Sequence, residues 1–399
     1  SRKSKGNNMS DIFILSGART AIGTFGGSLA ATAPIALGAE VSKAAIARAG
    51  VDAKQISDVA FGHIINTEPR DMYLSRAAAI EAGVPDTTPA MNVNRLCGSG
   101  AQAIVSVMQS MMNGDAEFGL AGGAECMSRS PYILEGARWG QKMGNAGVTD
   151  MMLGALNCPF GTGHMGVTAE NVAKENDITR EDQDAFALAS QNRAKAAIEG
   201  GLFADQIVPI EIKVKRQLVE FTTDEHPKAS TAESLAGLRP AFQKEGTVTA
   251  GNASGINDGA AAIVMANGSA VEKGNLKPRA RILGYAHAGV RPEVMGIGPI
   301  PAVKKLMAKT GLKASDFDVI ESNEAFASQA LAVSKELGFD PAKVNPNGGA
   351  IALGHPVGAT GSRLIVTALH ELERQDKERA LVTMCCGAAV GTGTIIERI

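Results

Sequence analysis

No stretch of this chain approaches the roughly 18 continuous apolar residues of a membrane-spanning helix, and no membrane partner is expected. An excess of one charge is also missing, since 39 Lys and Arg stand against 41 Asp and Glu, a formal balance of −2. That argues against a protein built to coat nucleic acid, which needs a strong basic excess, while leaving room for local basic patches. Aromatic residues are scarce (12 Phe, 3 Tyr, 1 Trp) beside 46 Gly, which points to tight turns and close backbone approaches. The five cysteines, Cys97, Cys126, Cys158, Cys385 and Cys386, are odd in number, widely spread and without a C-x-x-C pair. They do not form a disulfide framework, and with six scattered His they give a structural zinc site no support. The opening S-R-K-S-K-G-N-N-M-S lacks the apolar segment of a secretory signal. Met9 is read as the natural start, residues 1–8 as an expression remnant, and the cytosol as the compartment.

A chain of 399 residues exceeds what one core usually covers, so two or more lobes are expected. Strand-like and helix-like segments alternate, the sign of a layered α/β protein. Strands are expected at Ile12–Leu15, Val59–Phe61, Met91–Asn94, Phe118–Ala121, Phe317–Ile320 and Ala380–Met384. Helices are expected at Ala36–Ala49, stopped by Gly50, and at Gly98–Asn113, stopped by Gly114. The second is apolar on nearly every face through Ala101, Ile104, Val105, Val107, Met108, Met111 and Met112, so it belongs in the interior.

An internal echo organises the chain. Leu96 to Met108 aligns without gaps on Val357 to Leu369, with glycine under Gly100, Ile-Val under Ile-Val, and Thr367 under Ser106. Both stretches precede a polar break and another apolar strand, which favours duplication over chance. Two similar α/β halves follow, residues 9–125 with 249–275 and residues 276–399, their helix-leading loops meeting at a pseudo-twofold axis. Residues 126–248 read as an insert, Met- and Gly-rich to Met165, then helical and charged. A capping box at Thr179–Asp182 opens a helix that runs to Glu199 and stops at Gly200-Gly201. Free of the sheet's packing demands, such an insert suits substrate binding.

Cys97, in N-R-L-C-G-S-G, stands between a strand and the start of the buried helix. Helix N-termini carry partial positive charge and unpaired N–H groups, which stabilise a thiolate and later an oxyanion. Gly98 and Gly100 allow close approach of a substrate, so Cys97 is the candidate nucleophile rather than a buried structural thiol. A thiol needs a base. His63 and His370 lie in regular elements and His226 in a charged loop. His355, in A-L-G-H-P-V-G, leads the echoing helix, so the duplication brings it to Cys97. Successive strand residues face opposite ways, so only one of Cys385 and Cys386 can face the site. Asn323, in S-N-E-A-F, fits a hydrogen-bond donor at a strand end or a helix cap equally well. Metal ligation by Asn323 or Glu324 has no clustered partner, and no metal is expected.

The motifs around Cys97, N-E-A-F at 323–326, G-H-P at 354–356 and the C-terminal C-x-G resemble those of thiolases, acyl-CoA acyltransferases also called β-ketothiolases. T-A-G-N-A-S-G-I-N-D-G-A-A-A at 249–262 and H-M-G-V-T-A-E-N-V-A at 164–173 match too, and the likeness runs from about residue 10 to the C-terminus. The resemblance implies two five-stranded α/β halves in layered αβαβα order with a CoA-binding insert. It implies Claisen condensation of two short acyl-CoAs to a 3-ketoacyl-CoA, or the reverse thiolysis. Cys97 would carry the acyl group, His355 would deprotonate it, and Cys385 would take the α-proton. Asn323 would hold a water that forms one oxyanion hole with His355, and the N–H groups of Cys97 and Gly387 would form the other. Ser254, His164, Met165, Phe242 and Phe326 would lie along the pantetheine tunnel, the two Phe having core packing as their alternative. Ser234 would fall near the adenine and Lys228 near the nucleotide. CoA would act as substrate and product, with no tightly bound cofactor, and the assembly would be a homotetramer, a dimer of dimers. One departure is Gly387-Ala388-Ala389, where the family has Gly-Gly-Gly, which could narrow the acyl pocket or strain a positive φ. A β-ketoacyl synthase would share the fold and nucleophile but use two His. A silent CoA- or lipid-binding relative would be expected to lack one of Cys97, His355 and Cys385.

Overall fold

The computed structural model describes residues 11–399, so the proposed start at Met9 lies outside the described residues. Among the described residues eleven strands build the main sheet, nine of them in one path: β1 (Ile12–Thr20), β2 (Asp58–Gly62), β3 (Ala90–Val93), β4 (Phe118–Cys126), β5 (Asn257–Asn267), β6 (Ala280–Gly289), β7 (Val319–Ser322), β8 (Arg379–Cys386) and β9 (Val390–Arg398), with the two-residue strands Gly23–Thr24 and Ile207–Val208 pairing β5 and β1 at its side. The helices that matter here are α1 (Pro34–Ala49), α2 (Ser99–Asn113), α3 (Met165–Glu175), α4 (Arg180–Glu199), α5 (Pro299–Thr310), α6 (Ala327–Leu337) and α7 (Thr360–Arg374).

The duplication is visible in the pairing. In the first half β1 pairs β5 antiparallel, β5 pairs β4 antiparallel, and β4, β2 and β3 run parallel. The second half repeats this with β6, β9, β8 and β7, and its fifth position is reduced to one parallel bridge, Ile320 to Val344. The halves join where Phe13 and Ile14 of β1 pair Arg281 and Ala280 of β6. The two echoing helices α2 and α7 are in one register, 360 − 99 = 261 at their starts and 374 − 113 = 261 at their ends.

These two helices form the middle layer. Ala103, Ile104 and Val107 of α2 share one apolar core with Leu364, Ala368 and Leu369 of α7, Ile263 of β5 and Val382 of β8. They cross so closely that a Cβ on Gly361 would lie 2.3 Å from the Ala101 nitrogen. Only glycine permits that approach. α1 covers the outer face of the first half, and α5 and α6 that of the second, giving the expected αβαβα order.

Three local readings change. β7 begins at Val319, because the Asp318 carboxylate instead accepts the N–H groups of Glu378 and Arg379. The far end of α2 surfaces, leaving Met112 55% exposed. The insert, besides α3 and the Thr179-capped α4, contains an antiparallel hairpin of Ile210–Val214 with Gln217–Phe221. The chain just after that hairpin is tied to β1 by the fully buried Arg19, whose guanidinium donates to both Asp224 oxygens at 2.8 and 2.9 Å.

Candidate active site

A cavity of about 540 Å³ opens where the two halves and the insert meet, and Cys97, His355, Cys385 and Gly387 all line it. Cys97 stands one residue before Gly98, the N-cap of α2. The turn is forced by Leu96, a non-glycine residue at φ 46°, and held by the Ser99 hydroxyl, which donates to the Leu96 carbonyl at 2.6 Å. The backbone N–H groups of Cys97 itself and of Gly387 converge on the Cys97 sulfur.

Those donors and the helix terminus favour a thiolate, as expected from the sequence, but they do not win. Burial pushes the Cys97 thiol up to about 11, because an anion loses more hydration there than two N–H groups return. The resting nucleophile is a neutral thiol. Its neighbour is neutral too: burial, with the positive charge of Arg363 behind it, brings His355 down to about 3.

The hydrogen bonds identify the free nitrogen of His355. Thr360 donates its one hydroxyl proton to the Pro356 carbonyl at 2.9 Å, so its oxygen must accept from Nδ1–H of His355 at 2.6 Å. Nε2 therefore carries the lone pair, 3.4 Å from the Asn323 amide nitrogen. Asn323 follows the last residue of β7 and is held by its own N–H donating to the Thr383 carbonyl at 2.9 Å, so it is a strand-end side chain rather than a helix cap. Its Oδ1 is buried and has no protein partner. The adjacent Glu324 is fully used elsewhere, accepting from Ser190, Asn345 and Ile351.

The two adjacent thiols separate as strand geometry requires. Cys385 packs with Met165, Phe326 and Ala389 around the cavity, and burial beside Cys97 and Cys386 raises its thiol well above the usual range. Cys386 turns to the middle layer, where a Cβ on Gly98 would sit 2.5 Å from its sulfur.

The Gly387-Ala388-Ala389 turn is strained. Ala388 and Ala389 hold φ of 60° and 62°, in the left-handed region that suits glycine.

Towards the insert, His164 stacks on Phe242 at 4.7 Å, and Phe242 meets Phe326 edge-on at 6.2 Å. Both Phe residues, His164, Met165, Ser254 and Lys228 line the cavity. Ser254 is fixed by its N–H donating to the Ala325 carbonyl at 2.9 Å. Ser234 is not brought there: it is exposed and closes the capping box of the short helix Ala232–Ala236 with Thr231. Two further residues belong to the site: His226, set aside above as a residue of a charged loop, and Asn257. His226 lines the cavity, and Asn257 lies 3.2 Å from it while accepting the His355 N–H at 2.9 Å. The signal was faint, a D-E-H-P loop and the I-N-D-G start of β5, and it becomes a contact only through the long-range fold.

Comparison with known proteins agrees with this geometry. The thiolase N-terminal domain model matches residues 12–269 and the thiolase C-terminal domain model residues 276–398. β-Ketothiolase BktB of Cupriavidus necator is 58% identical over 391 residues, covering 98% of this chain and 99% of its own. The acetyl-CoA acetyltransferase of Escherichia coli is 50% identical, covering 98% of this chain and 100% of its own. Among solved structures, the Bacillus anthracis acetyl-CoA acetyltransferase superposes with a TM-score of 0.96 at 45% identity, covering 99% of this chain and 100% of its own. Human mitochondrial 3-ketoacyl-CoA thiolase in complex with CoA superposes at 0.94 with 41% identity, each chain fully covered. With both domain models matched in order across nearly its whole length, this chain belongs to the thiolase family.

Proposed function

We propose that the protein is a β-ketothiolase of the acetyl-CoA acetyltransferase kind, joining two acyl-CoAs into a 3-ketoacyl-CoA and free CoA, or running the reverse thiolysis. The observation that carries this reading is the meeting of Cys97, His355 and Cys385 on one cavity wall. A β-ketoacyl synthase would use two His where this chain offers one His and a Cys.

Acyl transfer starts from two neutral groups. Nε2 of His355 takes the Cys97 proton as the sulfur attacks the thioester carbonyl, and returns it to the departing CoA sulfur. The N–H groups aimed at the Cys97 sulfur, those of Cys97 and Gly387, form one oxyanion hole. In the second half-reaction Nε2 of His355 takes the Cys385 proton, the Cys385 thiolate takes the α-proton of the incoming acyl-CoA, and the carbanion attacks the Cys97 thioester, whose departing sulfur recovers a proton from Nε2–H. The enolate oxygen is met by Nε2–H of His355 and a water on Asn323, whose free Oδ1 can accept from it. Losing one such donor costs about 10²–10³ in rate.

The insert supplies the CoA channel, with the His164–Phe242–Phe326 stack along the pantetheine arm and Lys228 towards the nucleotide. CoA is substrate and product, and the assembly is a homotetramer in the cytoplasm. The test is cleavage of acetoacetyl-CoA by free CoA, followed at the enolate absorbance, with and without a thiol alkylator. No thiol-sensitive cleavage of acetoacetyl-CoA or longer 3-ketoacyl-CoAs would refute the reading.

A further inference from the structure

Glu125, the next-to-last residue of β4, is completely buried, and the reaction outlined above gives it no task. Its Oε2 accepts the Ile64 N–H and its Oε1 the Ile65 N–H, both at 3.1 Å. The Gly358 N–H, from the turn that follows His355, donates to it as well. A Cβ on Gly358 would lie 2.4 Å from Oε2, so that turn is seated directly on the carboxylate. His63 Nδ1 donates to the Ala124 carbonyl at 2.9 Å and lies 3.4 Å from Oε1.

The duplication shows what this cluster is. Gly62 pairs Gly123 as Ser322 pairs Thr383, and Glu125 pairs Gly259 as Cys385 pairs Gly391. Glu125 is therefore the twin of Cys385, and His63, one residue past β2, is the twin of Asn323. The helix register makes Gly358 the twin of Cys97. The site has a mirror image in which the nucleophile is glycine and the second thiol a carboxylate.

We propose that Glu125 is a positioning residue for the Cys97–His355 chemistry: its carboxylate clamps the Ile64–Ile65 turn to the turn carrying His355 and sets a buried negative charge beside Cys97. Ile64 lines the cavity, so one side chain ties a cavity wall to the loop of the base. The other ionisable groups near Glu125 are His63, Asp71 behind it at 3.9 Å from Nε2, and Cys97; Cys97 also meets Cys385 and Cys386 of β8. Burial raises Glu125 to about 6, and its charge adds to what burial does to the Cys97 thiol.

This inference rests on Cys97 and His355 being the reacting pair. Its test is acetyl exchange between acetyl-CoA and CoA, together with the pH dependence of iodoacetamide alkylation at Cys97. Glu125→Gln should lower kcat by about ten- to a hundredfold with KM unchanged, the cost of a misplaced base. Its alkylation midpoint should fall by about half a pH unit or more, because a like charge is gone. Glu125→Asp keeps the charge but loses the reach, so kcat should fall with the midpoint unmoved. An unshifted midpoint in Glu125→Gln, whether kcat is normal or falls only in step with KM and thermal stability, overturns the proposal. If Glu125→Gln does not fold, Glu125→Asp decides alone: a kcat that stays normal, or that falls only in step with KM and thermal stability, refutes the clamp. Cys97→Ser separates the two levels: full exchange in that variant sinks the nucleophile assignment, whereas an inactive Cys97→Ser beside a normal Glu125→Gln sinks this proposal alone.

Discussion

Gly98 and Cys386 should behave as one unit, and a double-mutant cycle can show it. Gly98 holds φ −83° and ψ 4°, a bridge conformation that alanine can adopt, so Gly98→Ala meets little backbone penalty. Its new methyl would lie 2.5 Å from the Cys386 sulfur, with nothing else nearer than 3.5 Å. Carbon and sulfur need roughly 3.5–4 Å, so the strand or the Cys97 turn must shift by about an ångström. Overpacking of that size costs about 1–3 kcal/mol, and an ångström at the nucleophile costs up to about 10² in rate. Cys386→Ala alone deletes one buried atom, for about 1 kcal/mol. The double variant removes the collision, so it should lose less stability than the sum by about 1–2 kcal/mol and recover most of the acetyl exchange lost in Gly98→Ala. Thermal unfolding and exchange rates of the four proteins decide it. Strict additivity would place the Cys386 sulfur somewhere other than beneath Gly98.

The remaining predictions follow from the same geometry. Cys385→Ala should keep acetyl exchange but lose condensation and thiolysis by about 10²–10⁴, whereas Cys386→Ala should retain both; an inverted pattern in acetoacetyl-CoA thiolysis would reverse the assignment of the two thiols. Ala388→Gly, at an exposed left-handed position, should raise stability by about 0.5–1 kcal/mol, the relief of φ 60° less the added freedom of the unfolded chain, and a lower melting temperature contradicts it. Asp224→Ala should cost about 3–5 kcal/mol by stranding the buried Arg19 charge, read as loss of soluble or thermally stable protein. Acid should destabilise the fold from about pH 6.5 down to about 4. His355 and His370 (both about 3) and His226 and His287 (both about 4) are held neutral when folded but take up protons when unfolded. Each contributes a loss of about 1.4 kcal/mol per pH unit across that window. Glu125, raised to about 6, opposes them over part of it. A denaturation midpoint that stays flat from pH 6.5 to 4.5 would refute this.

The echo between residues 96–108 and 357–369 made the architecture legible, because helix register and core composition are local properties that survive duplication. The loops of Cys97 and His355 were legible for the same reason, each leading a repeated helix, whereas the choice of Cys385 over Cys386 came from the family resemblance. What the chain did not disclose is set by contacts distant in sequence. Asn257 reaches His355 across 98 positions, and no spacing rule covers that distance. Ser234 closes the capping box of its own short helix with Thr231 and lies off the cavity lining, because a Thr-x-x-Ser pattern serves a cap as readily as a contact. The ionisation of Cys97 was not legible, for an energetic reason. A helix terminus can be read from a sequence, but the depth of the cavity above it cannot, and desolvation proved the larger effect.

That reversal explains the layout of the site. A stored thiolate–imidazolium pair would have to keep two charges in a pocket that strips their water, and nothing in the cavity wall is arranged to hold both. A neutral thiol beside a neutral imidazole carries no such burden, and charge arises only when a carbonyl carbon arrives to receive the sulfur. The negative charge then moves from sulfur to the substrate oxygen, where N–H donors already wait, so the hydration lost by Cys97 in the resting state is no longer a penalty in the transition state. The twin on the other side of the pseudo-twofold shows the contrast. Glu125 sits on three N–H donors that lock it between two turns, and a carboxylate held in this way serves as a support. Cys385, its counterpart, has no such clamp, which suits the proton transfer proposed for it.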